Sequence, residues 1–171
     1  MSDLIYTVFS TPLGLAGIAA TKKGVCRVKI GFKKETDFTR PLETAYKTPP
    51  QKNPKALRDI QNQLKLYLSG KSKQFDCPLD LSLGTPFQQK VWRKLLTIPH
   101  GSTRSYQWLA QAVKNPYANR AVGNANGKNP VSIIVPCHRV VRKNGGLGGY
   151  TGGIHIKQSL LDLERNKHAA V

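Results

Sequence analysis

The sequence predicts an α+β fold: a small N-terminal α/β domain with antiparallel strands, followed by a mainly helical C-terminal domain that contains a helix-turn-helix. Three observations predict it. The first thirty residues alternate short apolar runs with Gly and Pro turns. Beyond residue 84, apolar residues recur at helical spacing. Two of the helical segments there are joined by a very short polar link.

The opening strands run from Ile5 to Ser10, Leu15 to Thr21 and Val25 to Ile30, separated by Thr11-Pro12-Leu13-Gly14 and Lys22-Lys23-Gly24. Pro41 to Pro54 reads as a polar connection, with Thr48-Pro49-Pro50 too stiff for a helix or sheet interior. Asn53 and Pro54 then suit the start of a helix carrying Leu57, Ile60, Leu64 and Leu68 and ending at Gly70. This half shows no cluster of catalytic side chains, and it is expected to be structural, over residues 1–80.

A boundary is expected near Leu81 to Gly84, and residues 85–171 form the second domain. Thr85-Pro86-Phe87-Gln88 has the form of a capping box, opening a helix with the stripe Phe87, Val91, Leu95 that Pro99-His100-Gly101 closes. Ser105 caps a helix from Tyr106 to about Lys114, and Asn115-Pro116 caps a second one from Pro116 to Gly127. Val131 to Val135 is a β-branched run, read as a buried strand that delivers Pro136-Cys137-His138-Arg139. A glycine-rich loop from Asn144 to Gly153 follows, and a last helix buries Ile156, Leu160 and Leu163 with Glu164 at the edge of its apolar stripe.

Charge narrows the partners. The 27 Lys and Arg against 9 Asp and Glu give +18 over 171 residues. Residues 1–84 hold 14 basic against 7 acidic side chains, whereas 85–171 hold 13 against 2, with no carboxylate between Leu81 and Leu161. Such a surface attracts a polyanion, nucleic acid being the commonest. Three widely spaced cysteines offer neither a disulfide framework nor a zinc pair, so a reducing compartment, no metal and no cofactor are expected. The start Met1-Ser2-Asp3-Leu4-Ile5 lacks the form of a secretory leader, and no apolar stretch is long enough to cross a membrane. A soluble monomer is expected, in the cytoplasm or, in a eukaryote, the nucleus.

Three segments admit both a structural and a chemical reading. Between Pro116 and Gly127 the residues Ala118, Ala121, Gly123, Ala125 and Gly127 are small and Arg120 is the lone long cation. Tight helix packing explains this as well as close approach to a minor groove, with Arg120 pushed into the base stack. Cys137 beside His138 is more often a buried structural cysteine than a nucleophile, and neighbours in a strand face opposite ways, so contact would need a turn or a bridging water. In the glycine loop, Thr151 could supply a hydrogen bond to a pocket or belong to a mere linker.

Together these segments resemble the O6-alkylguanine-DNA alkyltransferase family. The resemblance rests on Pro136-Cys137-His138-Arg139-Val140, with Ser105-Tyr106-Gln107, Asn115-Pro116, Arg120-Ala121-Val122-Gly123, Asn129-Pro130-Val131, Tyr150-Thr151-Gly152-Gly153 and Glu164 around it in the family's order. It is strong from Thr85 to Glu164 and faint before.

The resemblance implies direct-reversal DNA repair: an alkyl group, typically methyl, passes irreversibly from guanine O6 in duplex DNA to Cys137, once per protein molecule, with thymine O4 a second candidate target. It makes Cys137 the acceptor, activated through a water by His138, which Glu164 orients, and makes Asn129 a tie between the helix-turn-helix and the reactive segment. Tyr106 would protonate the departing guanine. Arg120 would fill the gap left by the flipped base, and Tyr106, Gln107, Asn115 and Ala121 would face the DNA minor groove. Val140, Gly148, Gly149, Tyr150 and Thr151 would form the base pocket. Lys143, just behind the reactive segment, is expected to add a phosphate contact. Two departures are Thr151, where many relatives have serine, and Ser132, where some have proline; Cys26 and Cys77 read as packing residues. A lesion sensor similar to the alkyltransferase-like proteins is the competing reading, and Cys137, which those proteins lack, stands against it. A Cys-His hydrolase leaves the acid-free basic surface without a purpose.

Overall fold

The computed structural model describes residues 3–166. Met1 and Ser2, on which part of the N-terminal reading rests, lie outside the described residues.

The meander forms as expected: β1 (Ile5–Thr11), β2 (Gly14–Thr21) and β3 (Gly24–Phe32) pair antiparallel, with Ile5 opposite Ala20 and Thr11 opposite Gly14. Gly24 has a φ of 144°, and any Cβ there would strike the Pro78 carbonyl, to which the Val25 amide donates at 2.8 Å. Glycine at this turn therefore lets residues 78–80 lie along the sheet.

The segment expected as a polar connection is structured instead. Helix α1 (Thr36–Tyr46) contains Pro41, and β4 (Gln51–Lys52) adds to β1 in parallel, giving the order β3-β2-β1-β4. Two side chains four apart, Phe38 and Leu42, carry α1 onto the sheet, and the Phe38 ring stacks on Phe32 at 5.6 Å. Burial of these side chains overrides the cost of a proline within the helix. Pro49 and Pro50 precede an edge strand, a position that tolerates them.

The opposite face of the sheet receives α2 (Arg58–Leu68), which buries Ile60, Leu64, Tyr67 and Leu68. Asn53 does not cap this helix. Its side chain accepts from the Ala56 amide at 3.1 Å and closes a turn, after which the helix begins at Arg58. Gly70, at a φ of 73°, follows its end.

Helix α3 (Pro86–Leu95) starts at a reciprocal capping box, with the Gln88 amide donating to Thr85 Oγ1 at 3.2 Å and the Thr85 amide to Gln88 Oε1 at 2.9 Å. Helix α4 (Tyr106–Ala112) is capped by Ser105, whose Oγ accepts from the Trp108 amide at 3.0 Å. Helix α5 (Asn119–Gly127) begins later than the sequence suggests. Asn115 and Pro116 form a turn, closed by the Ala118 amide on the Asn115 carbonyl at 3.0 Å, and do not cap the helix. A buried bond of 2.7 Å from Trp92 Nε1 to the Ala125 carbonyl locks α5 to α3. The last helix is α6 (Ile154–Arg165).

Val131 to Val135 is buried apart from a half-buried Ser132, yet it is not a strand. The Val28 amide bonds the Pro130 carbonyl at 2.9 Å and the Ser132 amide bonds Val28 at 3.1 Å, after which Ile133, at a φ of 73°, reverses the chain. Cys137–Arg139 is a 3-10 turn, leading into β6 (Val140–Val141), which pairs in parallel with β5 (Arg104–Ser105). A β-branched run signals burial, and burial does not distinguish a strand from a packed turn. Here the run extends the edge of β3, so one apolar core runs from Val28, Leu64 and Tyr67 through Val91, Val131 and Val135 to Leu160. No helix among the described residues is long and apolar enough to cross a membrane.

Candidate active site

Cys137 opens the 3-10 turn, is 4% exposed, and lies between Asn129 and the glycine-rich loop in a chamber of about 20 Å³. The chamber is also lined by Asn126, Gly127, Ser132, Gly149, Tyr150, Thr151 and Gly152. A wider cleft of about 470 Å³ shares most of these walls and adds Tyr106, Gly123, Arg142 and Gly148, a volume typical of a small-molecule pocket.

Burial pushes the Cys137 thiol up, against opposing contributions from the Asn129 amide, the Lys157 charge and the backbone amides of Cys137 and His138. Attack therefore needs a base. His138 is the candidate. It is fully buried, and its Nε2 lies 2.8 Å from Glu164 Oε1. Burial presses its pKa below the usual imidazole range although Glu164 pulls the other way. A neutral ring beside an ionised carboxylate carries its proton on Nε2, leaving the Nδ1 lone pair as the basic site. Nδ1 is buried and has no hydrogen-bond partner among the described residues.

Glu164 is held ionised by an unusual number of donors. Burial would raise its pKa, but bonds from His138, Arg139 and Tyr67 prevail and hold it well below the usual carboxylate range. Arg139 donates from Nη2 at 2.7 Å and from Nε to both oxygens at 3.0 and 3.1 Å, the Tyr67 hydroxyl at 2.6 Å, and the Gly101 amide at 3.1 Å. Arg139 Nη1 is itself fixed on the Ile98 carbonyl at 2.7 Å. Arg139 balances the carboxylate, so Glu164 can orient His138 without forcing it to become cationic.

A pH dependence follows from the depressed His138 and Glu164 values. The transfer rate should fall on the acid side with a midpoint below the ~6.5 of free histidine. For a depressed group, stability is complete above its unfolded pKa and is lost as pH falls through the folded one. Denaturation midpoints should therefore begin to drop below about pH 6.5 and drop further below about pH 4.3. Single-turnover rates and urea titrations against pH measure both, and a rate midpoint above neutrality would contradict a neutral base.

The remaining sequence-derived residues divide into two groups. Asn129 ties the end of α5 to the reactive turn, donating to the Val135 carbonyl at 2.8 Å and accepting from the Val131 amide at 3.0 Å. Tyr106 is half-buried over Gly123 and Gly148; burial and the neighbouring Cys137 push its phenol up, so it keeps its proton. Gly148, at a φ of 72°, would place any Cβ 2.8 Å from the Tyr106 oxygen, so only glycine fits. Thr151 Oγ1 donates to the Gly127 carbonyl at 2.6 Å, joining the loop to α5. Val140 is buried, and Gly149 and Tyr150 form the outer wall.

Outside the pocket lies the face of α5. Arg120 and Ala121 are exposed, Arg120 is unpaired among the described residues, and Tyr117 at the preceding turn is 97% exposed. Val122 and Ala125 face inward, so the small residues serve both packing and an open surface. Gln107, part-exposed, accepts from Asn119 at 2.8 Å and donates to the Pro116 carbonyl at 3.3 Å, bracing the turn of the helix-turn-helix. Asn115 and Lys143 are exposed.

Four residues of the site escaped the sequence reading. Tyr67 comes from α2, in the half that shows no catalytic cluster. Arg139 stands within the reactive motif but gave no sign of facing Glu164. Lys157, fully buried on α6, donates to the Val140 carbonyl at 2.6 Å, to Leu147 and to Gly149, and burial lowers its pKa to about 8. A signal existed: Lys157 precedes Glu164 by two helical turns, inside the apolar stripe. Asn126, on α5, is buried against the Cys137 carbonyl. Among the described residues no group of three or more His, Cys, Asp or Glu could hold a metal ion.

Residues 86–166 match the family model described as 6-O-methylguanine DNA methyltransferase, DNA binding domain, and residues 4–81 that of its ribonuclease-like domain. The methylated-DNA--protein-cysteine methyltransferase of Mycobacterium tuberculosis is 49% identical over 134 residues, covering 77% of this chain and 81% of that protein. The constitutive enzyme of that name from Bacillus subtilis is 44% identical over 161 residues, covering 94% of each. The crystal structure of Mycobacterium tuberculosis OGT in complex with DNA superposes with a TM-score of 0.84 at 40% identity, over 96% of this chain and 95% of that one. Cys137 with its His138–Glu164 relay, set beside a helix-turn-helix, together with matches that span both halves, leads to one assignment: the chain belongs to the 6-O-methylguanine DNA methyltransferase family.

Proposed function

We propose that the protein repairs DNA by direct reversal, transferring a methyl or other alkyl group from O6 of an extruded guanine to Cys137 in a single, irreversible turnover. The observation that carries this reading is the buried His138, held by Glu164 at 2.8 Å, on the same turn as Cys137, which borders a small chamber open to the base-sized cleft.

His138 Nδ1 takes the thiol proton through a bridging water, and the sulfur attacks the alkyl carbon from the side opposite O6. The carbon–oxygen bond breaks with its electron pair on guanine, which takes a proton delivered from the Tyr106 side. The thioether that forms is not readily hydrolysed, so the protein is consumed. Asn129 holds the reactive turn on the helix-turn-helix. Val140, Gly148, Gly149, Tyr150 and Thr151 enclose the base.

Duplex DNA is engaged through the minor groove by α5, with Arg120 filling the gap in the stack, Ala121 allowing close approach, and Asn115 and Lys143 near the phosphates. Gln107 acts by bracing the turn that presents α5. Residues 85–171 carry DNA binding and transfer, and residues 1–80 support them through Tyr67. The protein works as a monomer in the cytoplasm. A lesion sensor would have no use for a primed cysteine.

The test is to incubate the protein with duplex DNA containing O6-methylguanine, weigh it intact and map the modified peptide. One added methyl on Cys137, guanine restored and no second turnover are expected. Tight binding with no mass change would leave the sensor reading in its place.

A further inference from the structure

Tyr67 is fully buried on α2, in the half that shows no catalytic cluster, and its ring packs against Phe75 at 5.2 Å and edge-on to His100 at 6.0 Å. Packing alone would be served by phenylalanine, so the hydroxyl has a reason of another kind. It donates to Glu164 Oε1 at 2.6 Å, the same oxygen that faces His138 Nε2 at 2.8 Å, and its own oxygen lies 3.4 Å from Nε2.

An ionised carboxylate only accepts, so the Tyr67 proton points to Glu164. Burial and the adjacent carboxylate push the phenol far above its usual range, so the proton stays there. The Tyr67 oxygen then turns a lone pair toward Nε2, beside the lone pair of Oε1. With two acceptors in front of it, Nε2 carries the ring proton and Nδ1 is left bare. Strength is affected as well as placement. Every donor on Oε1 draws off charge that would otherwise pull on the His138 proton, and Tyr67 supplies a share of this without adding a charge of its own. We infer that Tyr67, carried by the N-terminal half, is a positioning residue for alkyl transfer: through Glu164 it fixes the proton on His138 Nε2 and sets how strongly Nδ1 draws the proton of Cys137. The inference rests on the proposed transfer reaction.

The other charged and titratable groups around His138 are Glu164 and Lys157 on α6, Arg139 on its own turn and the adjacent Cys137, with His100 beyond Tyr67. All of them stay in place when the Tyr67 hydroxyl is removed. Its loss returns negative charge to the Oε1 lone pair at Nε2 and favours the imidazolium, so His138 gives up its extra proton at a higher pH. The acid limb of the rate profile moves up with it. A stronger donor at the same place moves it down.

The experiment is single-turnover methyl transfer to Cys137 across the acid limb, for the wild type, Tyr67→Phe, and a protein with Tyr67 replaced by 3-fluorotyrosine, a stronger donor of nearly the same volume. Tyr67→Phe should raise the midpoint by about one pH unit, a tenfold loss of rate on that limb, and the fluorinated ring should lower it by about half a unit. A role confined to packing would change stability, or the rate at every pH alike, and leave the midpoints unmoved. That result, or two shifts of the same sign, overturns the inference. Both shifts should persist in a His100→Gln background, and their disappearance there would assign them to His100 and overturn it equally. If the phenylalanine variant does not fold, the fluorinated protein carries the test alone. The ring-nitrogen resonances of His138, read without DNA, should titrate in the same order across the proteins. Failure of the wild type to methylate Cys137 would overturn the transfer reaction itself, while those resonances still decide whether Tyr67 sets the proton on His138.

Discussion

Exchanging Glu164 for alanine is expected to destabilise the protein by about 3–5 kcal/mol and to slow transfer at least about 10²-fold. The carboxylate is the meeting point of Arg139, His138, Tyr67 and the Gly101 amide. Its removal leaves a guanidinium whose side chain is only 10% exposed without a counter-charge, and breaking one partner of a buried pair costs more than the pair itself contributes. His138 also loses the acceptor that sets its tautomer, so Nδ1 is no longer reserved for the thiol proton. Glu164→Gln separates the two effects. An amide fills the same space and keeps some bonds, so the larger share of its stability loss reports the unbalanced Arg139 charge. Urea denaturation and single-turnover kinetics on both variants measure this, and an alanine variant as stable as the wild type would remove Glu164 from the centre of the network.

Lys157→Met should leave a folded protein whose transfer rate is reduced about 10²-fold. The Lys157 ammonium gathers the carbonyls of Val140, Leu147 and Gly149, so one side chain fastens the reactive turn to the glycine-rich wall of the pocket. Methionine matches the stem in length and removes the cost of burying a charge, while orphaning carbonyls at about 1–3 kcal/mol in total. The two largely offset in stability. They do not offset in positioning, because residues 147–149 lose their anchor and the pocket wall loosens. Amide hydrogen exchange should rise across residues 146–150 while the core of the sheet stays protected. A Lys157→Met protein with the wild-type rate would show that this wall needs no anchor.

Much of the fold was legible because local signals and burial agree there. Alternation and turn residues place β1 to β3, the capping box at Thr85 and Gln88 starts α3, and Ser105 starts α4. Where they conflict, the sequence misleads. Pro41 argues against a helix that Phe38 and Leu42 nonetheless pin to the sheet, and the β-branched run 131–135 folds as a packed turn because Ile133 reverses it.

The sequence by itself determined that this is a strongly basic α+β protein whose second half presents a cysteine beside a histidine next to a helix-turn-helix. It could do so because periodicity, capping and charge are properties of neighbouring residues. The tertiary structure alone decided which groups surround that cysteine. Tyr67 lies 97 positions from Glu164, Arg139 lies 25 from it, and Asn126 meets the Cys137 carbonyl from another element. Hydrogen bonds and charge balance act over a few ångströms of space whatever the separation along the chain, so the protonation states that make the site reactive exist only once the two halves share one core.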